Sequence, residues 1–190
     1  GERRAGTVGM ALPGVDMKIT NPNNGETLVD GEIGQIEVRG PNVFVGYWNM
    51  PEKTREELRE DGFFITGDLG RIDEHGYLQI VGRNKDLIIS GGYNIYPKEI
   101  ELVLDEQPGV LESAVIGAPH PDFGESVIGI LVADGGQPVD LDAIEADLGK
   151  TLARVKQPRK LILVGSLPRN TMGKVQKNIL RDEFGSTFQG

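Results

Sequence analysis

The chain has 190 residues, 38% hydrophobic and 26% charged, and its 20 Lys and Arg against 29 Asp and Glu leave a net charge of −9. That balance describes a globular protein long enough for one large or two small cores, and with no basic stripe it argues against nucleic acid as the main partner. With no cysteine, disulfides, thiolate nucleophiles and thiolate-held metals are excluded; no apolar run of about 18 residues or signal-peptide pattern occurs, so no membrane partner is expected and a cytoplasmic location fits.

Glycine is frequent, at 27 residues, which points to many turns and therefore to short strands. Asp16 to Thr20 predicts a strand that runs into the turn Asn21-Pro22-Asn23-Asn24-Gly25. Gln35 to Arg39 alternates polar and apolar residues, as a half-buried strand does. A proline opens a charge-rich helix predicted over Pro51 to Glu60. Phe63 to Thr66, Arg71 to Asp73 and Tyr77 to Val81 read as further strands, the last two joined through a turn at Glu74-His75-Gly76. Residues 1–84 are thus expected to form a β-rich unit.

Past Gly82-Arg83-Asn84-Lys85-Asp86 the pattern changes to alternating helix and strand. Leu87 to Ile89 predicts a short strand ending at Ser90-Gly91-Gly92. A helix is expected from Pro97 to about Gln107, with Ile100, Val103 and Leu104 on one face and Pro108-Gly109 as its stop. Strands at Ser113 to Gly117 and Ser126 to Ala133 precede a helix over Asp140 to Arg154 with Asp140 as N-cap. A strand at Lys160 to Val164 and a helix over Gln176 to Phe184 close the chain. Residues 85–190 are therefore expected to be a small α+β domain, helices on a sheet of about three strands. The boundary near Lys85 separates unlike architectures, so relative motion is the default expectation. His75 and His120 each stand beside turn residues and read as surface-loop histidines rather than as a metal site.

Three loops could carry chemistry. In Thr66-Gly67-Asp68 a strand stops at a carboxylate, which can accept hydrogen bonds from both hydroxyls of a ribose or, equally, close its own turn. In the second, Arg83 offers a rigid fork for phosphate or ribose oxygens and Gly91-Gly92 lets backbone N–H groups line a narrow channel; a charged linker followed by a tight turn accounts for the same residues. The third, Pro168 to Val175, places Lys174 directly after Gly173: the glycine allows close backbone approach, and the lysine brings a compact charge suited to a phosphate or developing oxyanion. No Ser-His-acid set, paired catalytic carboxylates or P-loop is present.

Together these segments resemble the C-terminal part of an acyl-CoA synthetase of the adenylate-forming superfamily, which also holds luciferases and adenylation domains. The resemblance covers essentially the whole chain. It rests on four collinear motifs: Gly40 to Trp48 (GPNVFVGYW), Phe64 to Leu69 (FITGDL), Gly82 to Glu101 (GRNKDLIISGGYNIYPKEIE) and Pro168 to Lys174 (PRNTMGK). The wording of Pro168 to Lys177 is most similar to malonyl-CoA or methylmalonyl-CoA synthetases.

The resemblance implies a two-step ligase acting on ATP with Mg2+, a small carboxylic acid and coenzyme A. It implies that Asp68 binds the ribose hydroxyls, Arg83 contacts the nucleotide and Lys85 is the hinge of a mobile C-terminal domain. The Gly91-Gly92 loop would form part of the CoA tunnel, and Lys174 would be the adenylation lysine, alternating with that loop at one active site. Lys174 is also implied as an acetylation site, which makes a protein lysine acetyltransferase or deacetylase a candidate partner. The family's phosphate loop and adenine motif do not occur in this sequence. The chain is accordingly expected to hold the last β-subdomain of the large N-terminal domain plus the mobile C-terminal domain, and to be inactive alone. Two other readings stay open: an adenylation domain that delivers its acyl group to a carrier protein, and an isolated interaction or modification module.

Overall fold

The structure, a computed structural model, describes residues 4–189. The chain divides into two compact units, residues 1–85 and 86–190.

The first unit is a four-stranded antiparallel meander of β1 (Asp16–Thr20), β2 (Gly34–Arg39), β3 (Phe64–Ile72) and β4 (Leu78–Arg83), paired in that order. Strand alternation sends Ile19, Ile36 and Leu78 into its core, with Met17, Leu28, Val38 and Ile72 packed around them. The two strands expected at 63–66 and 71–73 are one continuous β3. It stays continuous because its ladder with β2 skips: Glu37 pairs with Ile65 but Gln35 pairs with Leu69, so Thr66-Gly67-Asp68 bulge out of register. The helix α1 (Pro51–Glu57) stops three residues before the expected Glu60, since Leu58 turns extended and bridges to Phe64. Glu37 is fully buried in this unit. Arg59 grips both its oxygens at 2.8 and 2.6 Å, and Thr20 Oγ1 donates to Oε1 at 2.7 Å.

The second unit holds β5 (Ile88–Ser90), β6 (Tyr93–Ile95), α2 (Pro97–Asp105), β7 (Val110–His120), β8 (Gly124–Ala133), α3 (Leu141–Thr151), β9 (Lys160–Val164) and α4 (Lys177–Phe184). It is α+β as expected, but its sheet has five strands rather than about three. The order is β6-β5-β8-β7, with β9 parallel to β8. The strand expected at Leu87 to Ile89 is β5; the one not expected is its hairpin partner β6, three residues long and too short for periodicity to show. Helices cover both faces. Val115, Val127 and Leu131 meet Ile100 and Leu104 of α2 and Ile144 and Leu148 of α3. Their neighbours Ala114, Ile116, Ile128 and Ile130 meet Leu180 of α4. This double coverage explains why β7 and β8 read as near-continuous apolar runs. Asp140 caps α3, accepting from the Ala143 N–H at 3.0 Å. His75 is an exposed turn residue, whereas His120 is not in a loop: it ends β7, half-buried, its ring 4.9 Å from Phe123 and 5.3 Å from Phe188.

Candidate active site

In the first unit the bulge of β3 delivers Asp68 opposite Arg83 in the β3–β4 ladder. Arg83 Nε donates to Asp68 Oδ1 at 2.8 Å, and its Nη1 reaches the Thr66 carbonyl at 3.5 Å. Thr66 organises the bulge: its hydroxyl donates to the Ile36 carbonyl at 2.9 Å and accepts from the Asp68 N–H at 3.1 Å. The structure therefore brings two of the candidate residues together, with the second carboxylate oxygen and part of the guanidinium left for a ligand. Lys85 is exposed within the single 3-10 turn Asn84–Asp86. On either side of it Arg83 is paired with Asp68 and Asp86 with Arg181 Nη2, the latter at 2.6 Å.

In the second unit Gly91 and Gly92 are the two loop residues of the β5–β6 hairpin, because Ser90 pairs with Tyr93 across it. Both have positive φ, 56° and 83°, the combination a two-residue hairpin turn demands and glycine supplies without strain. Turn chemistry alone thus explains the glycine pair. Gly91 N–H donates to the Phe123 carbonyl at 2.9 Å, and the Phe123 ring lies 4.4 Å under the Arg159 guanidinium. Glu125 Oε2 accepts from the Ile89 N–H at 2.8 Å and steadies the same hairpin.

Lys174 stands on a loop closed by one isolated bridge, Arg169 to Val175. Three of the loop's N–H groups are spent on Asn170. Asn170 Oδ1 accepts from the N–H groups of Met172 at 3.0 Å and Lys174 at 2.9 Å, and its carbonyl accepts from Gly173 at 2.9 Å. Gly173, with φ of 77°, makes this turn possible, and the turn alone accounts for a glycine here. The anion-binding capacity of the loop lies in the Lys174 ammonium, which is exposed and has no partner among the described residues.

The two candidate elements of this unit lie at opposite ends of one strand. The Gly91 turn abuts Phe123 and the His120 end of β7, while Arg169 of the lysine loop pairs with Glu112 near its start. Glu112 to His120 is eight strand residues on, roughly 25 Å. No single ligand position touches both. Among the described residues no group of three or more His, Asp or Glu is placed to hold a metal ion. Sequence reasoning missed Asn170, Arg169 and Glu112. An Asn three residues before a Gly is a turn signal that could have found the first. The pairing of Arg169 with Glu112 spans 57 positions and leaves no local trace.

Comparison with known proteins agrees along the whole chain. The AMP-binding enzyme C-terminal domain matches residues 99–174, and the AMP-binding enzyme family matches residues 1–48. The structure superposes on ATP-bound MatB from Rhodopseudomonas palustris with a TM-score of 0.94 and 57% identity, covering 99% of this chain and 37% of that one. The chain belongs to the AMP-binding superfamily of acyl-CoA ligases. It corresponds to the C-terminal part of such an enzyme. Among curated relatives, the malonate–CoA ligase of Arabidopsis thaliana is 43% identical over 95% of this chain and 31% of its own length. The long-chain-fatty-acid–CoA ligase FadD13 of Mycobacterium tuberculosis is 42% identical over 97% of this chain and 36% of its own. The chain spans about a third of the length of the curated relatives it matches. Ligases named for unlike acids thus match equally well.

Proposed function

We propose that this chain is the C-terminal portion of an ATP-dependent ligase that converts a carboxylic acid, malonate or methylmalonate, into its coenzyme A thioester. The acid's carboxylate attacks the α-phosphate of ATP, forming the acyl-adenylate and releasing pyrophosphate. The thiol of coenzyme A then attacks the activated carbonyl and AMP leaves. In this reading Asp68 accepts from the ribose hydroxyls and Arg83 contacts the nucleotide. The Lys174 ammonium faces the carboxylate and phosphate oxygens as negative charge builds on them. The Gly91-Gly92 turn, free of side chains, borders the passage for the pantetheine arm. Residues 1–84 belong to the large N-terminal domain and 85–190 form the mobile C-terminal domain, which turns about Lys85.

The observation that carries the reading is the placement of Lys174 and the Gly91-Gly92 turn at opposite ends of β7. A rigid unit with two such ends serves two half-reactions by presenting them in turn, a motion of the kind that often limits turnover. The choice of malonate or methylmalonate rests on the wording around Lys174 and on the Arabidopsis relative. A cytoplasmic location is part of the proposal and fits a chain without cysteine. Among the described residues no helix is long and apolar enough to cross a membrane.

Exposure of Lys174 also suits modification by a protein acetyltransferase, reversed by a deacetylase. Acetylation removes its charge and with it the adenylation step. The deciding experiment supplies the full-length protein with ATP, CoA and, in parallel, malonate, methylmalonate, acetate or a long-chain fatty acid. Malonyl-CoA or methylmalonyl-CoA formed with AMP and pyrophosphate supports the reading. Faster turnover of a fatty acid, or ADP as the product, rejects it.

A further inference from the structure

An exposed lysine on a loop is a poor electrostatic device unless the loop is held. Residues 169–174 are all exposed, and the loop base is a single bridge with two flanking backbone bonds, Asn170 N to Lys174 O at 2.9 Å and Gln176 N to Pro168 O at 2.8 Å. Such a base leaves the tip free to rock. What stops it is the guanidinium of Arg169. Its Nη1 donates to the Gly173 carbonyl at 2.6 Å, and its Nη2 is ion-paired with Glu112 on β7.

The Gly173 carbonyl belongs to the same peptide plane as the Lys174 N–H. Arg169 holds one edge of that plane and Asn170 Oδ1 holds the other at 2.9 Å. With the Lys174 carbonyl also held, by the Asn170 N–H at 2.9 Å, the peptide planes on both sides of Lys174 are restrained, and with them the direction in which its Cα–Cβ bond leaves the loop. Glu112 anchors the grip to the five-stranded sheet, where a register shift between Val110 and Glu112 places it. A lone surface ion pair contributes little to stability. This pair is different in kind: the planar fork of arginine joins a carboxylate and a carbonyl at once, which an ammonium does not do in that geometry.

We propose that Arg169 and Glu112 are positioning residues that aim Lys174 for adenylation, a role that rests on the assignment of Lys174 above. They touch no substrate. Their effect is on where the lysine charge sits when the adenylate forms.

The test uses full-length enzyme carrying Arg169→Gln, Glu112→Gln or Arg169→Lys, with Lys174→Ala as the reference. Pyrophosphate release reports adenylation, and acyl transfer from supplied acyl-adenylate to CoA reports the second step. Arg169→Gln is expected to lower kcat for adenylation roughly 10- to 100-fold, the scale of a misplaced catalytic group, with KM for ATP and the transfer step unchanged. Glu112→Gln is expected to lose less, and Arg169→Lys to recover part of the loss. Intact acyl transfer certifies the fold in each variant. Unchanged adenylation in both glutamine variants, or equal loss in both half-reactions, overturns the positioning role. Wild-type adenylation by Lys174→Ala overturns the lysine assignment first, and the role of the pair with it.

Discussion

Asp68 and Arg83 face each other across the β3–β4 ladder, with Arg83 Nε donating to Asp68 Oδ1 at 2.8 Å. Arg83 lies half-exposed while Asp68 is three-quarters covered, so the pair meets solvent with one carboxylate oxygen and the outer guanidinium. Each residue fixes the rotamer of the other. The pair is thereby pre-organised for a ligand that offers hydroxyls to one side and phosphate to the other.

Replacing Asp68 with Ala is therefore expected to raise KM for ATP roughly 10- to 100-fold, the value of a charge-assisted hydrogen bond. Arg83→Ala should weaken binding too, and the double variant should lose less than the sum, because each single change already frees the other side chain. Pyrophosphate release at varied ATP measures all three. Strict additivity would mean that the two residues act apart.

The Gly91-Gly92 turn gives a prediction that separates the two half-reactions. Gly92 has φ of 83° and open space where a side chain would stand, so Gly92→Val fits sterically while straining the backbone by about 1–2 kcal/mol. The valine projects from the hairpin tip. Acyl transfer to CoA should slow while pyrophosphate release stays near wild type; single-turnover assays of each step separate them.

Much of this layout is legible in the sequence where local chemistry decides it. Asp140 reads as a cap because its carboxylate meets the Ala143 N–H three residues on. Lys160–Val164 reads as a strand because its apolar run stands alone between polar flanks. The pairing of Asp68 with Arg83 does not follow locally, since it needs the bulge that displaces Thr66-Gly67-Asp68 from β2. Nor does the clamp on Lys174: Glu112 lies in another strand, and sequence alone leaves Arg169 as one more surface charge. The glycines mislead in a specific way. At Gly91, Gly92 and Gly173 positive φ is required by the turn itself, so their presence says less about a ligand than their spacing suggests.

Buried Glu37 sets the acid stability of the first unit. Burial pushes its carboxyl up, but hydrogen bonds from Arg59 and Thr20, with the charges of Arg59 and Lys18, outweigh that and hold it below the usual carboxylate value. A lowered folded value means the contribution is present above the unfolded pKa and is lost as pH falls through the folded one. Arg59→Met removes the main partner while Glu37 stays buried. It should cost about 2–3 kcal/mol at neutral pH, at the low end for a broken buried pair because Arg59 is a third exposed. The variant's stability should rise, not fall, as pH drops from about 7 toward about 5. Urea unfolding from about pH 7 down to about 3 measures both, since the wild-type loss from Glu37 begins only as pH falls below the ordinary carboxylate value of 4.5; a variant profile matching wild type from about pH 7 to about 5 would reject this role for Arg59.

The 190-residue chain on its own is expected to release no pyrophosphate from ATP and malonate, because the family's phosphate loop and adenine motif do not occur in this sequence. Release by the purified chain, matched by loss on Lys174→Ala, would contradict this.

Lys174 is proposed to act in adenylation and not in thioester formation. The direct measurement compares Lys174→Ala with wild type, in full-length enzyme, on pyrophosphate release and on acyl transfer from supplied acyl-adenylate to CoA. A loss of roughly 100- to 1,000-fold in the first is predicted, the scale for removing one preorganised donor at a developing oxyanion, with the second unchanged. Equal rates of pyrophosphate release in the two proteins would contradict the account.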